Sequence, residues 1–263
     1  MAVRLVALDI DGTLLPRGAG ASAAPSPEVR SAVRDLVSAG VTVILASGRM
    51  YPGTIRIAHH LGLTTPLICQ QGCAVHLSDG EVLHLFRIDP HVALEIADWA
   101  REAGLPYEWF DHSRYVVSRP NPDSAEYARL SGVRAEYHPR PERLGFAPTG
   151  VGVISDRATA PEVHRTIAAH HGEALHLLDF PTVTVAVAPE ANKGHALALL
   201  AEDLGVRREE VVAIGDSVND APMLAWAGLG VAIAHGDRYA RDAADLILEE
   251  GEERLVAFLR ALR

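Results

Sequence analysis

Apolar runs alternate with amphipathic stretches from the first residues of this chain. Val3-Arg4-Leu5-Val6-Ala7-Leu8 reads as a strand. It is followed by Val29, Val33, Leu36 and Val37, which share one face of a helix expected over about 27 to 39, with Ser26 as N-cap, Pro27 at the first helical position and Gly40 past the end. Val41-Thr42-Val43-Ile44-Leu45-Ala46 is a second strand, apolar on both faces like the first. Strands of that kind belong to a parallel sheet covered by helices on each side. A helix over about 53 to 61, stopped by Gly62, and a strand at Leu67-Ile68-Cys69 extend the alternation.

The same grammar returns near the other end. A helix over about 193 to 204 ends at Gly205, Val211-Val212-Ala213-Ile214 is a strand, and a short helix covers about 220 to 226. Leu229-Gly230-Val231-Ala232-Ile233 is a further strand, and a helix over about 252 to 262 closes the pattern. Both ends of the chain are therefore expected to build one doubly wound α/β sheet.

Between them the texture changes. Tyr107-Glu108-Trp109-Phe110 and Tyr115-Val116-Val117, with a turn at Asp111-His112-Ser113, read as a hairpin whose aromatic residues fill a core. Helices are expected over about 90 to 103, behind Asp89 and Pro90, and over about 161 to 171, ahead of Gly172. The Pro- and Arg-rich stretch from Arg119 to Pro148 reads as loops with at most short elements. The expected organisation is a core of residues 1–83 and 188–263 with an inserted α+β domain at 84–187. There is no internal repeat and there are no heptads.

At 263 residues and 48% hydrophobic, the chain has room for such a core. Charged residues interrupt every apolar stretch before the roughly 20 residues that cross a bilayer, so no membrane span is expected. Because the chain runs from Met1 almost directly into a strand, we expect no removable leader and a cytoplasmic protein. Cys69 and Cys73 lack the company of a zinc or disulfide framework and read as buried thiols. The 13 histidines scatter without the His-Glu-x-x-His spacing of a metal helix. A net charge of -10 argues against a nucleic-acid partner, since such binding rests on neutralising phosphates with Lys and Arg. A small anion remains compatible, given a local positive site.

Four segments stand where core strands end or a helix begins: Asp9-Ile10-Asp11-Gly12-Thr13, Ser47-Gly48-Arg49, Asn192-Lys193-Gly194 and Gly215-Asp216-Ser217-Val218-Asn219-Asp220. Each has an ordinary reading by itself. Asp-Gly between apolar runs marks a hairpin turn, Ser-Gly-Arg a turn, Asn-Lys-Gly a capped helix start, and the last a polar loop. A doubly wound sheet, however, brings strand ends together. Asp9 and Asp11, at i and i+2 on an extended backbone, point to one side, and Asp216 and Asp220 would join them. Two such charges about 4 Å apart repel by about 4 kcal/mol at an effective dielectric of roughly 20. The cluster needs a cation, and hard oxygen ligands select Mg2+. Lys193, the Ser47 hydroxyl, the Gly48 N-H and the Asn219 amide would then cradle a phosphate.

On these motifs, together with Met223-Leu224, the stretch Ala225–Gly230 and Ala244-Asp245, the whole chain resembles the haloacid-dehalogenase-like phosphatases, most closely the Cof-type hydrolases with an α/β cap inserted between the second and third motifs. The resemblance implies that Asp9 is a nucleophile forming an aspartyl-phosphate and Asp11 the acid and base. Asp9, the Asp11 main-chain carbonyl and Asp216 would bind Mg2+. Ser47, Gly48, Lys193 and Asn219 would contact phosphate, with Thr13 and Asp220 in support. Gln71-Gly72-Cys73 and Ala234-His235-Gly236 depart from the usual Asn-Gly-Ala and Asn-Ala. The expected reaction is hydrolysis of a small phosphorylated metabolite, a sugar phosphate or phosphorylated cofactor. The alternatives are a phosphomannomutase-like mutase, which would need a second anion site from arginines such as Arg114, Arg119, Arg140 and Arg143, and a non-catalytic phosphometabolite-binding protein. Neither the particular substrate nor the oligomeric state is written in the sequence.

Overall fold

The computed structural model describes residues 2–263. In chain order the first part runs β1 (Leu5–Leu8), α1 (Pro27–Ser38), β2 (Thr42–Ala46), α2 (Tyr51–Leu61), β3 (Leu67–Cys69), β4 (Ala74–His76) and β5 (Val82–Leu85). There follow α3 (Pro90–Glu102), β6 (Tyr107–Phe110), β7 (Tyr115–Val117), α4 (Pro122–Ser131), β8 (Glu136–Tyr137), β9 (Gly150–Ile154), α5 (Ala160–His171), β10 (His176–Asp179) and β11 (Val183–Val187). The last part is α6 (Lys193–Asp203), β12 (Val211–Gly215), α7 (Ala221–Trp226), β13 (Leu229–Ile233), α8 (Arg238–Ala243), β14 (Leu246–Leu248) and α9 (Glu252–Ala261).

Two sheets result. The larger has the order β14-β13-β12-β1-β2-β3-β4-β5 and the smaller β10-β11-β9-β6-β7-β8. In the larger sheet β14 through β3 are parallel, and β4 and β5 add an antiparallel edge. Because β1 pairs in parallel with both β2 and β12, the Asp-Gly step after it is a strand-to-loop turn and not a hairpin. Strand β5 straddles the boundary expected at 84 and pairs with β4 of the larger sheet.

Alternation along β1 explains why it must be apolar throughout. Val6 and Leu8 pack toward α1, α2 and α9, while Leu5 and Ala7 pack toward α6 and α7. Each such side chain contributes about 1.5–3 kcal/mol when fully buried. Helix α1 forms as its signals predict: the Ser26 hydroxyl accepts from the Val29 N-H at 3.1 Å, and Val29, Ala32, Val33 and Leu36 are buried.

The two faces of the smaller sheet are covered differently. Tyr107, Trp109, Val151 and Val153 pack under α3 and α5, as expected for an aromatic core. Glu108 and Phe110 point to the opposite face, over the ends of the larger sheet's strands, where Met50 and Cys73 meet Phe110, Val185 and Val187. In the stretch expected to be loops, α4 is a full helix with Asn121 as N-cap, its side chain accepting from the Asp123 N-H at 2.8 Å. The cysteines are free and buried, and burial pushes the Cys69 thiol up to about 12. Among the described residues no helix is long and apolar enough to cross a membrane.

Candidate active site

The carboxyl ends of β1, β2 and β12 meet at one place, as strand order requires. The Asp9 N-H donates to the Ile214 carbonyl at 3.0 Å, tying the loop after β1 to β12. Gly12 holds φ +96, and a Cβ there would come within 2.2 Å of Asp216 Oδ2. Only glycine lets these two loops touch at that point.

Lys193 opens α6 and is fully buried, its Nζ 2.8 Å from Asp9 Oδ1 and 2.6 Å from Asp220 Oδ1. Burial pulls its ammonium down, but Asp220 and Asp9 override that and the net direction is up, so Lys193 stays cationic. Burial pushes the Asp9 carboxyl well up, aided by Asp220 and opposed by Lys193. Asp220 has no oxygen to spare, because its Oδ2 accepts from the Asp216 and Ser217 N-H groups at 2.9 and 3.0 Å. Gly215 leaves the room for this, since a Cβ there would lie 2.4 Å from the Asp220 carboxyl carbon.

Asp216 is buried, and Arg17 Nε donates to its Oδ2 at 2.8 Å while its Oδ1 is buried without a partner. Asp9, Asp216 and Asp220 each offer an oxygen within 4.8 Å of the others. With Asp220 saturated, Asp9 and the partnerless Oδ1 of Asp216 are the pair suited to a hard divalent cation, which would relieve the burial that raises both carboxyls. The donor set fits a metal.

Asp9, Asp11, Gly48, Arg49, Gln71 and Asn219 line one cavity of about 180 Å³, so the structure brings together five of these positions singled out from sequence or flagged as departures. Lys193, Asp220 and Ser47 lie buried beneath it, with the Ser47 hydroxyl accepting from the Arg49 N-H at 3.1 Å. Thr13 is not brought there: it lines a separate hollow with His235, and its hydroxyl is buried without a partner. His235 Nε2 lies 2.9 Å from the Gly12 carbonyl.

Sequence reasoning assigned no role to Arg49, Arg17 or Gln70. Arg49 grips the Asp11 carboxylate with two parallel hydrogen bonds, at 2.7 and 2.5 Å. Gln70 and Gln71 adopt φ of +48 and +63, strained for side-chain-bearing residues, and Asn219 donates to the Gln71 side-chain oxygen. The segment after β3 was visible as an unusual Gln-Gly-Cys, but its backbone strain was not.

A family model described as haloacid dehalogenase-like hydrolase matches residues 6–258. The chain is 26% identical to phosphatase YwpJ of Bacillus subtilis, covering 98% of each chain. It is 29% identical to a phosphoglycolate phosphatase of Methanopyrus kandleri, covering 98% of this chain and 96% of that one. A haloacid dehalogenase-like hydrolase from B. subtilis superimposes with a TM-score of 0.85 at 24% identity over 99% of this chain and 100% of that one, a likeness of fold.

Proposed function

The chain belongs to the haloacid dehalogenase-like hydrolases, and on that premise we propose that it is a Mg2+-dependent phosphatase hydrolysing a small phosphate ester through an aspartyl-phosphate on Asp9. The observation that carries this reading is the fully buried Lys193 clamped between Asp9 and Asp220 beneath a cavity that Asp9 itself lines. A buried cation flanked by two carboxylates opposes the rise that burial imposes on the nucleophile and fixes its direction, and a divalent cation at Asp9 would complete its ionisation. Lys193 engages Oδ1, which leaves Oδ2 to attack phosphorus.

In the first step an Asp9 oxygen bonds to phosphorus as the ester P–O bond breaks, and Asp11 gives its proton to the departing oxygen. In the second, water attacks the same phosphorus, Asp11 takes the water's proton, and the Asp9–phosphorus bond breaks to release inorganic phosphate. The Gly48 N-H, the Asn219 amide and Arg49 would contact the phosphoryl oxygens. An incoming dianion competes with Asp11 for Arg49 and so returns the Asp11 carboxyl to the leaving group. Mg2+ held by Asp9, Asp216 and the Asp11 main-chain carbonyl would neutralise charge on the phosphoryl group. The smaller sheet and its helices, inserted between the two halves of the core, act as the cap that excludes water.

Nothing favours the mutase. Arg114 is paired with Glu136, Arg119 with the Gly104 carbonyl and Arg140 with Glu142, and none of these, nor Arg143, lines the cavity. Inorganic phosphate release from a panel of phosphate esters, with Mg2+, with chelator, and after Asp9→Asn, tests the reading. Release that needs Mg2+ and vanishes in Asp9→Asn supports it. Undiminished release by Asp9→Asn overturns the covalent route, and isomerised ester without free phosphate would make the protein a mutase.

A further inference from the structure

Beside the Asp9 cavity lies a second one of about 200 Å³, under the face of the smaller sheet opposite α3 and α5. The two share Gln71, Tyr127 and Phe180, so they adjoin, the second lying on the cap side of the first. Its walls are Phe110, Phe180, Val183, Val185 and the Tyr127 ring. It exists because β9 carries glycine at alternate positions: a Cβ on Gly150 would lie 2.6 Å from the Phe110 ring, and one on Gly152 would lie 2.4 Å from Glu108 Oε2.

Apart from the Gln71 amide and the Tyr127 hydroxyl, which donates to the Gly48 carbonyl at 3.2 Å, the polar groups in this second cavity are acceptors. Gln70 is almost fully buried; its Nε2 donates to the Asp111 carbonyl at 2.6 Å, which fixes the amide and leaves Oε1 buried with no partner. Glu108 is buried beside it, one carboxyl oxygen accepting from the Tyr115 hydroxyl. Asp123 stands at the rim, exposed. Among the described residues no Lys, Arg or His lines the space. An unpartnered acceptor and two carboxyls without a cation call for a ligand that donates hydrogen bonds, and they repel one that brings negative charge.

We propose that the leaving part of the substrate is a single-ring alcohol, uncharged or cationic, that presents N–H or O–H donors to Gln70 and Glu108, and that esters with a second phosphate or a carboxylate are rejected. The size fits, since a dry apolar cavity of roughly 150 Å³ holds one benzene ring. Burial pushes the Glu108 carboxyl up to about 7, the Tyr115 hydrogen bond working against it. At neutral pH the group therefore serves a donor in either state, as carboxylate or through its carbonyl oxygen. This inference rests on the phosphatase reading for the direction in which the ester lies. It separates this chain from its phosphoglycolate-named relative, because glycolate leaves as a carboxylate-bearing alcohol.

Three esters that differ only at a remote substituent test it: 4-(aminomethyl)benzyl, 4-methylbenzyl and 4-carboxybenzyl phosphate. The expected order of kcat/KM is amino, methyl, carboxy, with at least about tenfold between the first and last from the nearby carboxyl charge. The difference should sit mainly in KM. Glu108→Gln should bring the amino and methyl esters together and ease the penalty on the carboxy ester. Asp123→Asn should do the same more weakly, which keeps the test available if Glu108→Gln fails to fold. Equal values for the three esters, or an order unmoved in both variants, overturns the inference. Binding of the three esters is also measured by calorimetry. If no ester releases phosphate, the phosphatase reading fails on its own, and the same charge order in binding still supports the cavity's preference while equal affinities overturn it.

Discussion

The ends of the larger sheet's strands and the cavity-facing side of the smaller sheet adjoin, yet they answer buried charge differently. Around Asp9 nearly every buried charge is answered: Lys193 by Asp9 and Asp220, Asp11 by Arg49, Asp216 by Arg17. In the adjoining cavity, Gln70 Oε1 has no partner and Glu108 has only a tyrosine. A phosphoryl group is common to every candidate substrate, so its receptor can be built complete and rigid. A leaving group is particular, and its receptor is left with acceptors for the ligand to satisfy.

Breaking the saturated side should have the largest effects. Asp9→Asn removes the attacking oxygen's charge and should lower phosphate release by at least about 10³-fold while the thermal transition stays in place. Lys193→Met strips the only cation between two buried carboxylates and should cost roughly 3–5 kcal/mol in urea denaturation, because the charges left behind are uncompensated. Full retention of stability in that variant would mean that the network is looser than its distances indicate.

The open side should respond less and through pH. The native Glu108 carboxyl keeps its proton up to about 7, whereas the unfolded one releases it near 4.5. The folded state thus binds more protons in that window, so Glu108 contributes stability below about 4.5 that is lost as pH rises through 7, roughly 3 kcal/mol at most. Glu108→Gln should flatten this part of the stability curve between pH 4.5 and 8, measured by denaturant titration at each pH. A decline of the same size in the variant would place its source elsewhere. Smallest of all, Gly152→Ala should cost about 1–2 kcal/mol by pushing the Glu108 carboxyl aside. Its thermal transition should fall by a few degrees, and a transition unchanged from wild type would mean that Glu108 has room to give.

The residues that converge at the strand ends were legible because a parallel sheet has a fixed place for them. Asp9, Lys193, Asp216 and Asp220 each follow a strand or open a helix whose apolar pattern is unmistakable. Helix α4 was not legible in the Pro- and Arg-rich stretch, because its buried face is Ser124, Ala128 and Ser131, small residues that carry no apolar periodicity. Strand β9 hid for a related reason: its glycines exist to make space, and strand patterns are read from side chains. Arg49 and Arg17 stood beside the motifs in plain view, but which carboxylate an arginine grips is decided by loops folding together and not by spacing along the chain. Phe110, expected in the aromatic core, proves to face the cavity because alternation along β6 sends every second residue to the side opposite α3 and α5.

Helix α4 touches α2 where glycine alone fits, a Cβ on Gly53 falling 2.4 Å from the Leu130 carbonyl, and Ser131 accepts from the Met50 N-H at 3.1 Å. Strands β6 and β11 carry the cavity's Glu108, Phe110, Val183 and Val185, whereas α4 adds Asp123 and Tyr127 from a part of the helix ahead of Leu130 and Ser131. For anyone redesigning the protein, recognition and docking consequently overlap only on α4: the strands can be rewritten for a new leaving group, provided that the helix keeps its small residues and Gly53 stays bare.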